Sequence, residues 1–133
     1  MTTMTTQPNT LSAQPTMEQV LGGMSAALGG HLPGMVQRAA TLMTEMVFTH
    51  AADSGFAMPK EGGALSEETR TLMPLAIALA TGSRCVDGLM NKAKASDIDT
   101  AKILETFKIA RFSEATRVFH NAEDVFARLE AQQ

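Results

Sequence analysis

Tryptophan and tyrosine are absent from the chain, cysteine occurs once, and no lysine or arginine precedes Arg38. Each absence excludes something. A single thiol forms no internal disulfide, which fits a reducing compartment. With no early basic residue, and with Gln, Pro and Thr breaking the first apolar stretch, the N-terminus does not read as a secretory signal. The longest apolar run, Leu72 to Ala80, is about half the length of a membrane span and contains Pro74. The expectation is a soluble, cytoplasmic protein with no membrane partner. Basic side chains number 11 against 14 acidic ones and are spread among them, so nucleic acid is not an expected partner either. Valine and isoleucine are scarce and no alternating strand pattern competes anywhere.

What the chain does contain is ten Met, six Phe and many Ala. Ala and Met are good helix formers, and Met fills irregular gaps between helices, so its abundance is read as packing before metal or sulfur chemistry. A length of 133 residues suits one domain. Residues 1–15 carry no charged side chain and no apolar period, and read as a flexible tail. Residues 16–133 read as a single all-α domain of about six helices.

Thr16 is the expected N-cap of the first helix, which ends at Gly29-Gly30. Pro33 opens a second, whose apolar pairs recur from Met35/Val36 to Met46/Val47 and carry it to about Ala52. Gly55 and Met58 to Gly63 form a loop. Ser66 caps the third helix, with Glu67 and Glu68 in its first turn. That helix is apolar nearly all round after Leu72 and is expected to be buried on most sides, with a kink or break near Met73 because of Pro74. The fourth covers about Arg84 to Ala95. Ser96 is the expected cap of the fifth and Ser113 of the sixth, which runs nearly to the C-terminus.

The stretch from Leu65 to Ala93 carries the clearest signature. Leu65, Thr69-Arg70, Leu72-Met73, Leu75 to Ala80 and Thr81-Gly82 lead to Cys85-Val86-Asp87, Lys92-Ala93 and Ala95-Ser96-Asp97-Ile98. This pattern resembles the carboxymuconolactone decarboxylase and alkylhydroperoxidase (AhpD-like) family, in which such a helix ends in a C-x-x-C-x-x-x-H motif. The resemblance covers about residues 20–130 and is specific over 65–99. It implies an AhpD-like helical bundle that assembles as a homo-oligomer, a trimer or hexamer.

Active members of that family use two cysteines, a histidine and an upstream glutamate. The cysteines cycle between dithiol and disulfide while the other two relay protons. Here the set is degenerate. Aligned through Cys85, that residue takes the second cysteine's place, Leu89 the histidine's, and Gly82 or Ser83 the first cysteine's. Aligned without a gap from the upstream helix, Ser83 takes the first cysteine's place, Val86 the second and Met90 the histidine's. Thr71 stands at the glutamate position in both. The implied function is at most a one-cysteine thiol peroxidase or antioxidant activity through Cys85, with an external thiol as reductant and no cofactor.

Other roles compete with this one. Read without the family, Cys85 is either a reactive thiol, with a pKa lowered by a helix N-terminus and by Arg84 beside it, or a small buried apolar side chain, as free cysteines usually are. Decarboxylase or lactone chemistry on a small carboxylic acid does not need the cysteine pair; its available groups are His50, His120, Arg84 and Arg111. A non-catalytic small-molecule binder or assembly protein would use the former active-site cavity, lined by Thr71, Met73, Ser83, Leu89 and Met90. His50 with Asp53, and His120 with Glu123, each place two metal-ligating side chains one helical turn apart. The second, third and sixth helices also carry more apolar face than a small monomeric bundle covers, which by itself marks contact between copies.

Overall fold

A computed structural model describes residues 13–133; the first twelve residues of the expected tail lie outside it. Seven helices follow one another: α1 (Met17–Ala27), α2 (Gly34–Leu42), α3 (Thr44–Ala57), α4 (Glu67–Thr81), α5 (Cys85–Ala95), α6 (Thr100–Asn121) and α7 (Glu123–Glu130). No strand occurs among the described residues. The all-α expectation holds, with one helix more than the sequence pattern suggested.

Capping chemistry starts the helices where the sequence placed it in two cases. Thr16 and Gln19 form a reciprocal capping box at α1. The Ser66 side chain accepts from the Thr69 N–H at α4. Elsewhere the boundaries moved. The single helix expected from Pro33 to Ala52 is two, because Met43 leaves helical geometry at φ −142° and ψ 61°. There the Thr44 hydroxyl donates to the Ala40 carbonyl, the acceptor its own N–H would take in an unbroken helix.

Ser96 ends α5 instead of capping the next helix; its N–H donates to Lys92. Asp97 then turns the chain at φ 52°, the buried Ile98 anchors it, and Asp99 caps α6 by accepting from the Ala101 N–H at 3.0 Å. Ser113 is passed without interruption, and the chain bends only at Ala122. The expected fifth and sixth helices are thus mostly one helix of 22 residues with a short α7 after it.

The largest correction concerns α4. It runs without a break across Pro74, although proline removes the N–H that would bond the Arg70 carbonyl, a cost of about 3 kcal/mol in a helix interior. Burial on one face offsets this. Thr71, Leu75 and Ala78 are buried against α5 and α6, and full burial of one leucine side chain is worth about 1.5–3 kcal/mol. The helix is not covered on most sides, however: Met73, Ile77 and Leu79 face outward.

Two small cores organise the chain. Val20, Val36 and Val47 join α1, α2 and α3. Leu75, Ala78 and Leu89 join α4 and α5, with Ile103 of α6 packed against them. The halves meet where the end of α1 lies on α5: the Leu28 side chain rests on Gly88, and Gly29 approaches the Asn91 carbonyl so closely that a Cβ there would come within 2.6 Å of its oxygen. No helix among the described residues is long and apolar enough to cross a membrane.

Candidate functional site

The turn before α5 presents the thiol. Gly82, left-handed at φ 70°, closes α4, and the Ser83 N–H donates back to the Ala78 carbonyl at 3.0 Å. This reversal leaves the Ser83 side chain free to serve α5: its Oγ accepts the Cys85 N–H at 3.1 Å. Cys85 is therefore the first residue of α5, with an exposed side chain beside exposed Arg84. Its Sγ has no hydrogen-bond partner among the described residues, and no acid or base is tied to it.

The residues that the resemblance places at relay and pocket positions do not come together. Thr71 is 1% exposed and its hydroxyl donates to the Glu67 carbonyl at 3.1 Å, so it is a sealed, satisfied group on the inner face of α4. Leu89 belongs to the core with Leu75 and Ala78. Met73 and Met90 are exposed, and Ser83 is spent on the α5 amide. None of these five lines either of two surface depressions formed by the α1–α3 half of the molecule.

The more enclosed of the two is a cleft of about 390 Å³ that opens between α1, α2 and α3. Met24, Met35 and Met46 line it together with Val36 and Val47, and His50 and Asp53 stand at its α3 side. A more open depression of about 540 Å³ adjoins it along Leu42 to Met46 and shares Met46 and Thr49. The methionines were legible only as apolar stripe positions. Their convergence needs the α2–α3 break at Met43, which the periodicity conceals.

His50 and Asp53 thus share a cleft, but His120 and Glu123 do not join them. Among the described residues no three His, Cys, Asp or Glu side chains come together in a way that could hold a metal ion. The reason is topological: α6 packs on α4 and α7, and α3 on α1 and α2, so the two pairs sit on helices that do not form a packed couple. Nor do Arg84, Arg111 or His120 reach the cleft that holds His50, so the imidazole and guanidinium needed for decarboxylase chemistry do not converge in it.

The two ion pairs among the described residues are peripheral. Lys102 of α6 donates to Glu68 of α4 at 2.7 Å, and this hydrogen bond, followed by the carboxylate's charge, raises the lysine pKa. Arg117 pairs with Glu114 one turn back at 2.7 Å and is raised by the same two causes. Both pairs are open to solvent and add little to stability.

No family model matches the chain, and no curated protein matches it significantly.

Proposed function

We propose that the chain is an AhpD-like helical protein of the cytoplasm that assembles as a homo-oligomer, a trimer or hexamer. On this reading it keeps the scaffold of a dithiol peroxidase and retains at most one-cysteine chemistry at Cys85. One observation carries the reading: the only thiol is exposed at the first position of a helix, directly after the turn that in the family bears the redox motif. Exposure admits a hydroperoxide to the thiol.

The cycle is short. The thiolate attacks the distal oxygen of a hydroperoxide, the O–O bond breaks, and an alcohol leaves with a proton while Cys85 becomes a sulfenic acid. An external thiol displaces water from that sulfur to form a mixed disulfide. A second external thiol then releases the Cys85 thiol and leaves as a disulfide. With Thr71 in place of the relay glutamate, no internal group moves the proton, so turnover is slow. The test is peroxide consumption in the presence of dithiothreitol, with dimedone trapping of the sulfenic acid. Both signals should vanish in Cys85→Ser. Labelling of Cys85 no faster than a free cysteine, with no dimedone adduct, would remove the activity from the reading.

The cleft between α1, α2 and α3 favours a second reading, a non-catalytic binding or assembly protein. Its volume falls within the range of small-ligand sites, and its wall is apolar with one imidazole and one carboxylate. Saturable quenching of an apolar fluorophore, abolished by Met35→Glu at the exposed wall of the cleft but not by Cys85→Ser, would separate a small-molecule binder from the thiol reading.

A further inference from the structure

The long helix α6 is built inside out. Its buried positions are the small or polar Thr106 and Ala110, whereas Leu104, Phe107, Phe112 and Phe119 face solvent, the last two at 70% and 73% exposure. The ridge continues along α7 through Val125, Phe126 and Leu129, and Phe119 and Phe126 meet edge to face across the bend at 6.1 Å between ring centres. On the opposite half, Met35 and Met46 of the cleft and the neighbouring Leu42 and Met43 are also exposed. Aromatic and methionine side chains left uncovered on this scale mark contact surfaces.

The total surface says how much is uncovered. The chain exposes 10976 Å², whereas a folded monomer of 14.2 kDa exposes about 6,800 Å². Residues 1–12, even with the full surface of an unfolded segment of their mass, account for only about 1,900 Å². The described part then exceeds a monomer of its size by roughly 2,800 Å². A standard interface covers about 800 Å² per partner and obligate ones about 1,000–2,500 Å². The excess is what two interfaces per copy would remove.

We propose that the aromatic ridge of α6–α7 in one copy seats in the methionine-lined cleft of α1–α3 in the next. This rests on the homo-oligomeric reading above and goes beyond it by assigning the two faces. The occupant is a second copy because the chain carries both halves of a matched pair: a projecting row of Phe, and a concave wall of flexible thioethers that suits aromatic edges. The ridge cannot fill its own cleft, since α6 and α7 pack on α4 and on each other. Two different faces in contact make a head-to-tail interface, and a closed ring of such contacts, the form the trimer or hexamer reading requires, leaves no copy with an open face. Divided between two faces, the surplus gives about 1,400 Å² per face, within the obligate range for each partner.

The test uses Phe119→Asp on the ridge and Met46→Glu in the cleft, with circular dichroism as the check on folding. Both side chains are more than half exposed, so the cores are untouched; should either lose helicity, Phe126→Asp and Met35→Glu replace them. Light scattering at micromolar concentration should show the wild type at a multiple of 14.2 kDa and each variant at the mass of one chain. Mixing the two variants should yield a two-chain species, because each retains the one face the other lacks. A wild-type mass of one chain overturns the homo-oligomeric reading itself. An oligomeric wild type whose cleft variant is unaffected, or whose variants do not combine, overturns only the pairing of ridge with cleft.

Discussion

Gly29→Ala tests how firmly the two halves of the molecule are joined. Gly29 follows α1 at φ +67°, and a Cβ built there lies 2.6 Å from the Asn91 oxygen and 2.7 Å from its carbonyl carbon. Two costs therefore combine. Holding alanine in the left-handed region costs about 1–2 kcal/mol. Displacing backbone of α5, which cannot swing aside as a side chain would, adds about 1–3 kcal/mol. The expected loss of about 2–5 kcal/mol is a large share of the 5–15 kcal/mol by which domains of this kind are stable. Two further glycines separate the terms. Gly82 has the same backbone hand, φ +70°, with nothing within 4 Å, so Gly82→Ala should lose only the first about 1–2 kcal/mol. Gly22 lies inside α1 at ordinary φ in open space, so Gly22→Ala should gain about 0.5–1 kcal/mol. Urea unfolding of all three at one fixed protomer concentration reads the series. If Gly29→Ala and Gly82→Ala agree within about half a kcal/mol, the approach of α1 to α5 is not tight and the two cores are not coupled there.

Thr71→Glu should cost about 3 kcal/mol or more at neutral pH, because the carboxylate would be buried with no cationic partner. Burial raises the folded pKa of that carboxyl above the unfolded value of about 4.3, so the folded state binds more protons and stability falls as pH rises between the two. Urea midpoints at pH 5 and pH 8 should show the smaller loss at pH 5, and equal losses would refute burial. Asp99→Ala removes the cap of α6 and should cost about 1 kcal/mol in thermal unfolding, with Asp99→Asn close to wild type. The raised pKa of Lys102 makes its pairing with Glu68 present below the ordinary lysine value of 10.5 and lost as pH rises through the folded value. Lys102→Met should therefore lower the melting temperature slightly at neutral pH and low salt. The difference should disappear at high salt, and a salt-independent loss would instead assign the effect to packing by the lysine stem.

That the chain carries a single cysteine is a property of residue identity, so it was legible in the sequence. One cysteine cannot cycle between dithiol and disulfide wherever it sits, and Thr71, Leu89 and Met90 cannot relay protons. The location of a cavity was not legible. Thr71, Met73, Ser83, Leu89 and Met90 were grouped as one lining because they flank the same motif, yet Leu89 is core, Thr71 is sealed, and Met73 and Met90 point out. Sequence proximity orders residues along two helices, and a cavity depends on which faces of several helices remain apart.

The sequence by itself determined that the chain is helical, that Thr16 and Ser66 start helices, and that Gly29-Gly30 and Gly82 end them. Those outcomes depend on local bonds between a side chain or a left-handed backbone and amides a few residues away. Only the tertiary structure decided that Pro74 is carried inside α4, that Met43 divides one apolar stripe into two helices, and that Ser113 is passed over. In each case the local preference is worth a few kcal/mol at most, and it yields or prevails according to what the neighbouring helices bury. The same balance sets the surface: Thr106 and Ala110 went inward against α4 while Phe112 and Phe119 stayed outside, a choice no periodicity could announce because both sets repeat at helical spacing.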